Sequence, residues 1–464
     1  MTTRRRLLAL AASAAFLNGA APPRKNVLLL MTDQHRPHAL GVDGDPLART
    51  PNLDALARAS VRFDHAYCTN PVCVPSRFSL MTGLYAHKGR VWGNTNPWPA
   101  DIKTIAHYFA AAGYATANIG KLHAVDNSAH GFEHLLEMKD WFDYLGPKAR
   151  IWHEEMDRSG KDGRKGPVHV GRVSLLPEED HFESWVARES IRYLRQRRDR
   201  PFFLVSSYIK PHDPFMPAGR FARLFRPEKV ELPETWGKLD LSTVPRRVQN
   251  AVRQSPHTPE LLDPAQARIR IAMYHANLMQ ADDRMGTVLA TLRELGLEQN
   301  TIVLYLADHG DMVGDKGLWL KFQMYENSVG VPLMFRVPGM TRGGSRCATV
   351  VSLVRVLPTL AELCGLDVPS TLDGKTLVPN LKNPEERTGS AAYAEFGLAA
   401  GGGMQMIRHG DFKYVYNYKD IEQLYDLRRD PREMTNLALL PGHKETAGRL
   451  KQELFEIFNP SSGD

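Results

Sequence analysis

Four short apolar runs, each ending in residues able to do chemistry, constrain this chain more than any other feature. Residues 26–31, 114–119, 201–209 and 301–306 each read as a strand buried on both faces. The first ends in Asp33, Gln34 and His35, the second in Lys121 and His123, the third in His212 and Asp213, and the fourth in Asp308 and His309. Between them, residues 53–60, 102–112, 182–198 and 265–295 carry helical spacing, with Gly113 and Gly296 closing two of those segments. Strand–helix alternation of this kind predicts an α/β fold with a large, mostly parallel sheet flanked by helices. Open sheets of that class bind ligands at the carboxyl ends of their strands, so the four polar endings are expected to converge.

With 464 residues, 43% of them hydrophobic and 24% charged, the chain is long enough for one large core with an appendage. The pattern changes beyond about residue 375. Residues 404–427 read as short antiparallel strands turning near Gly410, and 442–458 as a closing helix. The expected organisation is an export signal over residues 1–21, a main α/β domain over 22–375 and a small antiparallel-sheet subdomain over 376–464. Residues 153–171 and 210–262 lack periodicity and read as loops, where specificity would be set.

The N-terminus places Arg4, Arg5 and Arg6 before an apolar run over 7–17 and small residues to Ala21, the parts of a twin-arginine-like export signal. A membrane anchor is the alternative, but about 18 apolar residues are needed to span. Cleavage near Ala20 or Ala21 would leave a periplasmic or secreted protein with no stable membrane span. The net charge of +7 includes those three arginines, and the remaining excess is too modest to indicate nucleic-acid binding. Four cysteines, Cys68, Cys73, Cys347 and Cys364, make neither a disulfide scaffold nor a zinc spacing.

Cys73 stands apart from the others. Pro75 suits the first turn of a helix, so Cys73 would lie at that helix's N-terminus, with Gly83 able to end it. Unpaired amides and a positive dipole end there suit an anion, and Arg77 adds a fork-shaped charge one turn later. The alternative is a small buried hydrophobe. Asp33, Asp308 and His309 could each be a strand-end hydrogen bonder. Together, two carboxylates and an imidazole fit a divalent cation.

The stretch Cys73, Pro75, Ser76 and Arg77, followed by Thr82 and Gly83, resembles the sulfatase signature. Gly120-Lys121-Leu122-His123, Pro211-His212-Asp213-Pro214, Asp308-His309-Gly310-Asp311 and Trp319-Leu320-Lys321 match further segments, so the resemblance spans nearly the whole mature chain. It implies an alkaline-phosphatase-like fold and a formylglycine made from Cys73 by a formylglycine-generating enzyme. It implies one divalent cation, Ca²⁺ first with Mn²⁺ or Mg²⁺ as rivals, held by Asp33, Gln34, residue 73, Asp308 and His309. Lys121, His123 and Lys321 would grip the sulfate oxygens, Arg77 would hold the hydrated formylglycine, and His212 would protonate the leaving alcohol.

The resemblance implies hydrolysis of sulfate esters, with a sulfated small molecule or oligosaccharide as substrate. Trp92, Asn94, Trp98 and Trp319 are candidates to meet a sugar, or else rim packing. Gln34 and His309 depart from the family pattern and match a branch resembling phosphonate monoester and phosphodiester hydrolases, which is the runner-up. A non-catalytic sulfoglycan-binding protein is the third reading.

Overall fold

A computed structural model describes residues 24–126, 128–159, 171–196, 199–254, 262–386, 391–398 and 402–460; the expected export signal lies outside them. The four apolar runs form the middle of the main sheet. They are β1 (Asn26–Asp33), β3 (Ala115–Gly120), β5 (Phe202–Pro211) and β6 (Thr301–Ala307). β1 lies at the centre, parallel to β5 on one side and to β6 on the other, with β3 parallel to β5.

The expected parallel character holds for this half only. β4 (His134–Leu136) extends it in parallel beyond β3. β8 (Leu333–Arg336) instead runs antiparallel to β6 and leads to β2 (Val61–Tyr67), which also pairs with β7 (Gly330–Val331) and, in parallel, with β9 (Ser345–Ser352). The sheet among the described residues is therefore mixed.

Both faces of β1 are covered, as its uninterrupted apolar run requires. Val27, Leu29 and Met31 face a core that includes Phe78, Leu80 and Met81 of the helix Cys73–Thr82. Leu28 and Leu30 face the opposite core, with Met285, Val288 and Leu292 of the long helix Pro264–Glu294. Each fully buried aliphatic side chain contributes about 1.5–3 kcal/mol.

Two segments read as loops contain helices. The helix Ala149–Ser159 enters the first, whose remaining residues 160–170 lie outside the described set. The helix Arg246–Gln254 lies in the second. Its strongly basic composition hid a narrow apolar stripe carrying Val248.

Near the C-terminus, β10 (Ala391–Phe396), β11 (Met404–His409), β12 (Phe412–Asn417) and β13 (Gln423–Asp426) form an antiparallel sheet. Leu450 and Leu454 of the helix Lys444–Ile457 cover one face. Ala392, Ala394, Met404 and Met406 on the other face belong to the same core as β1.

Candidate active site

The carboxyl ends of β1, β3, β5 and β6 meet the N-terminus of the Cys73 helix. Cys73 is the first helical residue, after the extended Val72, and Gly83 closes the helix in the left-handed conformation. Its Sγ lies 3.3 Å from His309 Nε2, 3.2 Å from Lys321 Nζ and 3.7 Å from Asp33 Oδ1. Ligand atoms of Asp33, Cys73, Asp308 and His309 all fall within 4.8 Å of one another, and all four residues are buried. Such a set is capable of holding a divalent cation.

Arg77 ties this cluster together. Its Nε donates to Asp308 Oδ2 at 2.7 Å and its Nη2 to Asp33 Oδ2 at 3.2 Å. Nη1 donates to Ser207 Oγ at 3.1 Å and to the Lys121 carbonyl oxygen. Lys121 Nζ reaches Asp33 Oδ2 at 2.5 Å. Burial works against the Asp33 carboxylate, as does Cys73, yet Lys121, His212 and Arg77 hold its carboxyl well below the usual range. Burial likewise opposes a Cys73 thiolate, but Lys121, Lys321 and His309 hold the thiol well below its ordinary value.

His309 Nδ1 lies 2.9 Å from the Gly310 carbonyl oxygen. A carbonyl only accepts, so Nδ1 carries a proton and Nε2 is the nitrogen turned toward the cluster. Lys321 Nζ occupies the centre, 2.8 Å from Gln34 Oε1, 2.9 Å from His212 Nε2 and 3.1 Å from His309 Nε2. His212 Nδ1 sits 2.5 Å from the Asp213 carbonyl oxygen, which leaves Nε2 for the site. His123 lies against the Cys73 thiol, and burial, with Lys121, lowers its pKa.

Asp33, Gln34, Cys73, Arg77, Lys121, His123, His212, Asp308, His309 and Lys321 are thus brought to one place, whereas His35 turns away to Tyr305 and the Ala39 carbonyl oxygen. The backbone there is strained: Gln34, His123, Leu320 and Phe322 have φ of 69°, 64°, 63° and 74°. Such conformations cost about 1–3 kcal/mol each and persist where the surroundings over-determine them. Gly120 is required as well, since a Cβ there would stand 1.9 Å from the Ser207 carbonyl oxygen.

A cavity of about 460 Å³ opens beside Cys73, lined by Asn94, Lys121, His123, His181, Lys210 and His212, with Trp141 and Trp152 in its wall. Two of the tryptophans picked from the sequence serve packing instead. Trp98 is buried edge-on to Phe78, and Trp319 is nearly buried edge-on to Trp236. Trp92 packs near Phe458. Asn94 alone of that group lines the cavity, its Oδ1 accepting from the Val74 amide at 3.1 Å.

Sequence reasoning missed Glu137, whose Oε1 accepts from the Leu122 and His123 amides at 3.0 and 3.1 Å and so shapes the loop after β3. It also missed Ser207, Asp311 and His181. Only Asp311 carried a signal, its position directly after His309-Gly310.

Residues 25–366 match the sulfatase family. The chain belongs to the formylglycine-dependent sulfatases of the alkaline-phosphatase-like superfamily. Residues 314–459 also match the C-terminal region of N-sulphoglucosamine sulphohydrolase. Among sulfatases of known name, the choline-sulfatase of Rhizobium meliloti is 33% identical over 445 residues, covering 90% of this chain and 83% of that protein. The N-acetylglucosamine-6-O-sulfatase of Bacteroides thetaiotaomicron is 28% identical, covering 89% of this chain and 82% of its own. Among solved structures, the phosphonate monoester hydrolase of Agrobacterium radiobacter superposes with a TM-score of 0.82 at 26% identity, covering 94% of this chain and 95% of that one. This sulfatase therefore carries a hydrolytic active site in the Cys73 cluster.

Proposed function

We propose that this sulfatase hydrolyses sulfate esters of carbohydrates through a formylglycine made from Cys73. The carrying observation is the placement of Cys73, at a helix N-terminus and within 3.3 Å of both Lys321 Nζ and His309 Nε2, beside an open cavity. An anionic ester there meets fixed positive charge on several sides, and such preorganised charge is most effective where water is excluded. When oxidised and hydrated, residue 73 would supply the attacking oxygen and a built-in route for releasing sulfate.

Each side chain then has a task. Asp33, Gln34, Asp308 and His309 would hold one divalent cation, which supplies Lewis-acid charge beside residue 73. The oxygen-rich donor set suits Ca²⁺ and also Mn²⁺ or Mg²⁺. Arg77 braces Asp33 and Asp308 against each other and orients residue 73 through them. Lys121, His123 and Lys321 bind the sulfate oxygens. His212, whose Nδ1 is engaged by Asp213, turns Nε2 toward Lys321 Nζ. With Lys321 engaged by sulfate, His212 as the imidazolium would present its Nε2 proton to the departing oxygen.

The carbohydrate assignment is supported by the two amino-sugar relatives and by His181. His181 lines the cavity, is 1% exposed, and its Nε2 has no hydrogen-bond partner among the described residues. A hydroxyl of the alcohol would satisfy it. The N-terminal pattern supports export, with signal removal near Ala20 or Ala21. Among the described residues no helix is long and apolar enough to cross a membrane.

A second reading, phosphonate monoester or phosphodiester hydrolysis, is favoured by the 0.82 TM-score and by Gln34 and His309. The test is turnover of matched aryl sulfate and aryl phosphonate esters. The protein would be produced with a formylglycine-generating enzyme, with Cys73→Ala alongside. Faster sulfate cleavage, lost in the variant, supports the sulfatase reading. Faster phosphonate cleavage transfers the protein to the second. Activity that survives Cys73→Ala overturns both.

A further inference from the structure

Behind the Cys73 cluster, Gln34 is held at both ends of its amide. Its Nε2 lies 2.5 Å from Asp311 Oδ2, and its Oε1 lies 2.8 Å from Lys321 Nζ. An ammonium group only donates and the carboxylate accepts, so these partners fix which end of the amide is oxygen. The carbonyl oxygen faces the cluster and the NH₂ faces away.

Asp311 is itself placed rigidly. It is fully buried, and its Oδ1 accepts from the Val313 amide at 2.8 Å. The helix Pro264–Glu294 supplies the backing. Its Arg270, fully buried with its guanidinium 4.2 Å from the Phe215 ring, places positive charge toward both Asp311 and Asp213. One turn on, Tyr274 donates its hydroxyl to the Gln34 carbonyl oxygen at 3.1 Å and holds the strained backbone.

We propose that Asp311 is a positioning residue for the cation site: it sets the Gln34 amide so that Oε1, rather than Nε2, is offered to the metal. This rests on the reading that Asp33, Asp308 and His309 hold a divalent cation. Residue 34 contributes a neutral oxygen, and the carboxylate stands one hydrogen bond further out. Outer partners of this kind orient a ligand and strengthen its donor atom.

Asp311→Asn presents one oxygen where two were used. That oxygen cannot satisfy both the Val313 amide and Gln34 Nε2, and an NH₂ facing Gln34 turns its amide over. Gln34→Glu sets two carboxylates against each other, and Gln34→Glu with Asp311→Asn restores a donor–acceptor pair. The experiment is calorimetric titration of metal-stripped protein with Ca²⁺ and with Mn²⁺, with thermal unfolding of each variant.

Asp311→Asn should weaken cation affinity by about 10–100-fold. Gln34→Glu should also weaken it, and the double variant should bind more tightly than Gln34→Glu alone. Unchanged affinity in Asp311→Asn, or a double variant no better than Gln34→Glu, overturns the proposal. The double variant keeps both hydrogen bonds of residue 311, to the Val313 amide and to residue 34. Its comparison with Gln34→Glu therefore decides the question even if Asp311→Asn alone fails to fold, and failure of the double variant to fold overturns the proposal too. Absence of binding by the unsubstituted protein would remove the cation reading itself, and this proposal with it.

Discussion

The backbone amide of His212 donates to the Asp33 carbonyl oxygen at 3.1 Å, which locks the loop after β5 to the end of β1. The candidate acid and the candidate ligand therefore share one rigid frame, although 179 positions separate them in the sequence.

His212→Ala should lower kcat for sulfate esters of poor leaving groups by about 10²-fold or more. Activated aryl sulfates, whose leaving oxygen needs less protonation, should lose far less. The comparison is kcat on an alkyl or sugar sulfate against a nitrophenyl sulfate. Equal losses on both would remove His212 from the acid role.

His181→Phe should separate binding from chemistry. A satisfied hydrogen bond in a buried wall contributes about 0.5–1.5 kcal/mol. KM for a sulfated sugar should therefore rise by several-fold with kcat nearly unchanged, and aryl sulfate kinetics should hardly move. A drop in kcat on both substrates would place His181 in the reaction itself.

Removal of divalent cations should lower both activity and thermal stability. Asp33 and Asp308 are fully buried and share Arg77, so a bound cation adds a further positive partner to both. Ligand linkage gives about 2.7 kcal/mol at 100 times Kd. Tm of stripped protein should climb with added Ca²⁺ or Mn²⁺, and a flat Tm across the titration would sink this prediction.

A second buried ion network joins the C-terminal sheet to the main core. Lys413, fully buried, pairs with Glu326 at 2.9 Å and with Glu433, and Arg408 also reaches Glu326, at 3.2 Å. Burial raises the Glu326 carboxyl, but Lys413 and Arg408 pull it down to about 2 from 4.5. A carboxyl depressed in the folded state stabilises fully above its unfolded value, and that stabilisation is lost as pH falls from about 4.5 toward 2. Glu433 is pushed upward, by burial first, so its protonation offsets part of the loss. Lys413→Met should cost about 3–5 kcal/mol at neutral pH, by taking from buried Glu433 its ion-pair partner and leaving Glu326 with Arg408 alone. Urea unfolding of the variant across pH 3–7 measures both effects.

How much of this could be read in the sequence follows from range. β1, β3, β5 and β6 are buried on both faces, so their composition alone announces them, and the residues after them had to converge. β2 alternates charged and apolar residues and pairs with strands nearly 270 positions away, so nothing local marks its place in the sheet. The Cys73 helix was legible because Pro75 and Gly83 punctuate it. Glu137 was not, because its partners are backbone amides, which every residue owns. Trp141 and Trp152 were passed over for Trp98 and Trp319, since proximity to a motif in sequence does not decide which ring faces a cavity.

Cys73 is 1% exposed at the inner end of its cavity, while His212 stands further out, with 13% of its side chain exposed. On the proposed reading, the alcohol departs past His212 toward solvent while the sulfur group remains attached at position 73. Release is then obligatorily ordered, with the alcohol first and inorganic sulfate last. Free sulfate would meet the resting enzyme, so it should inhibit competitively against the ester, with the alcohol inhibiting in a different pattern.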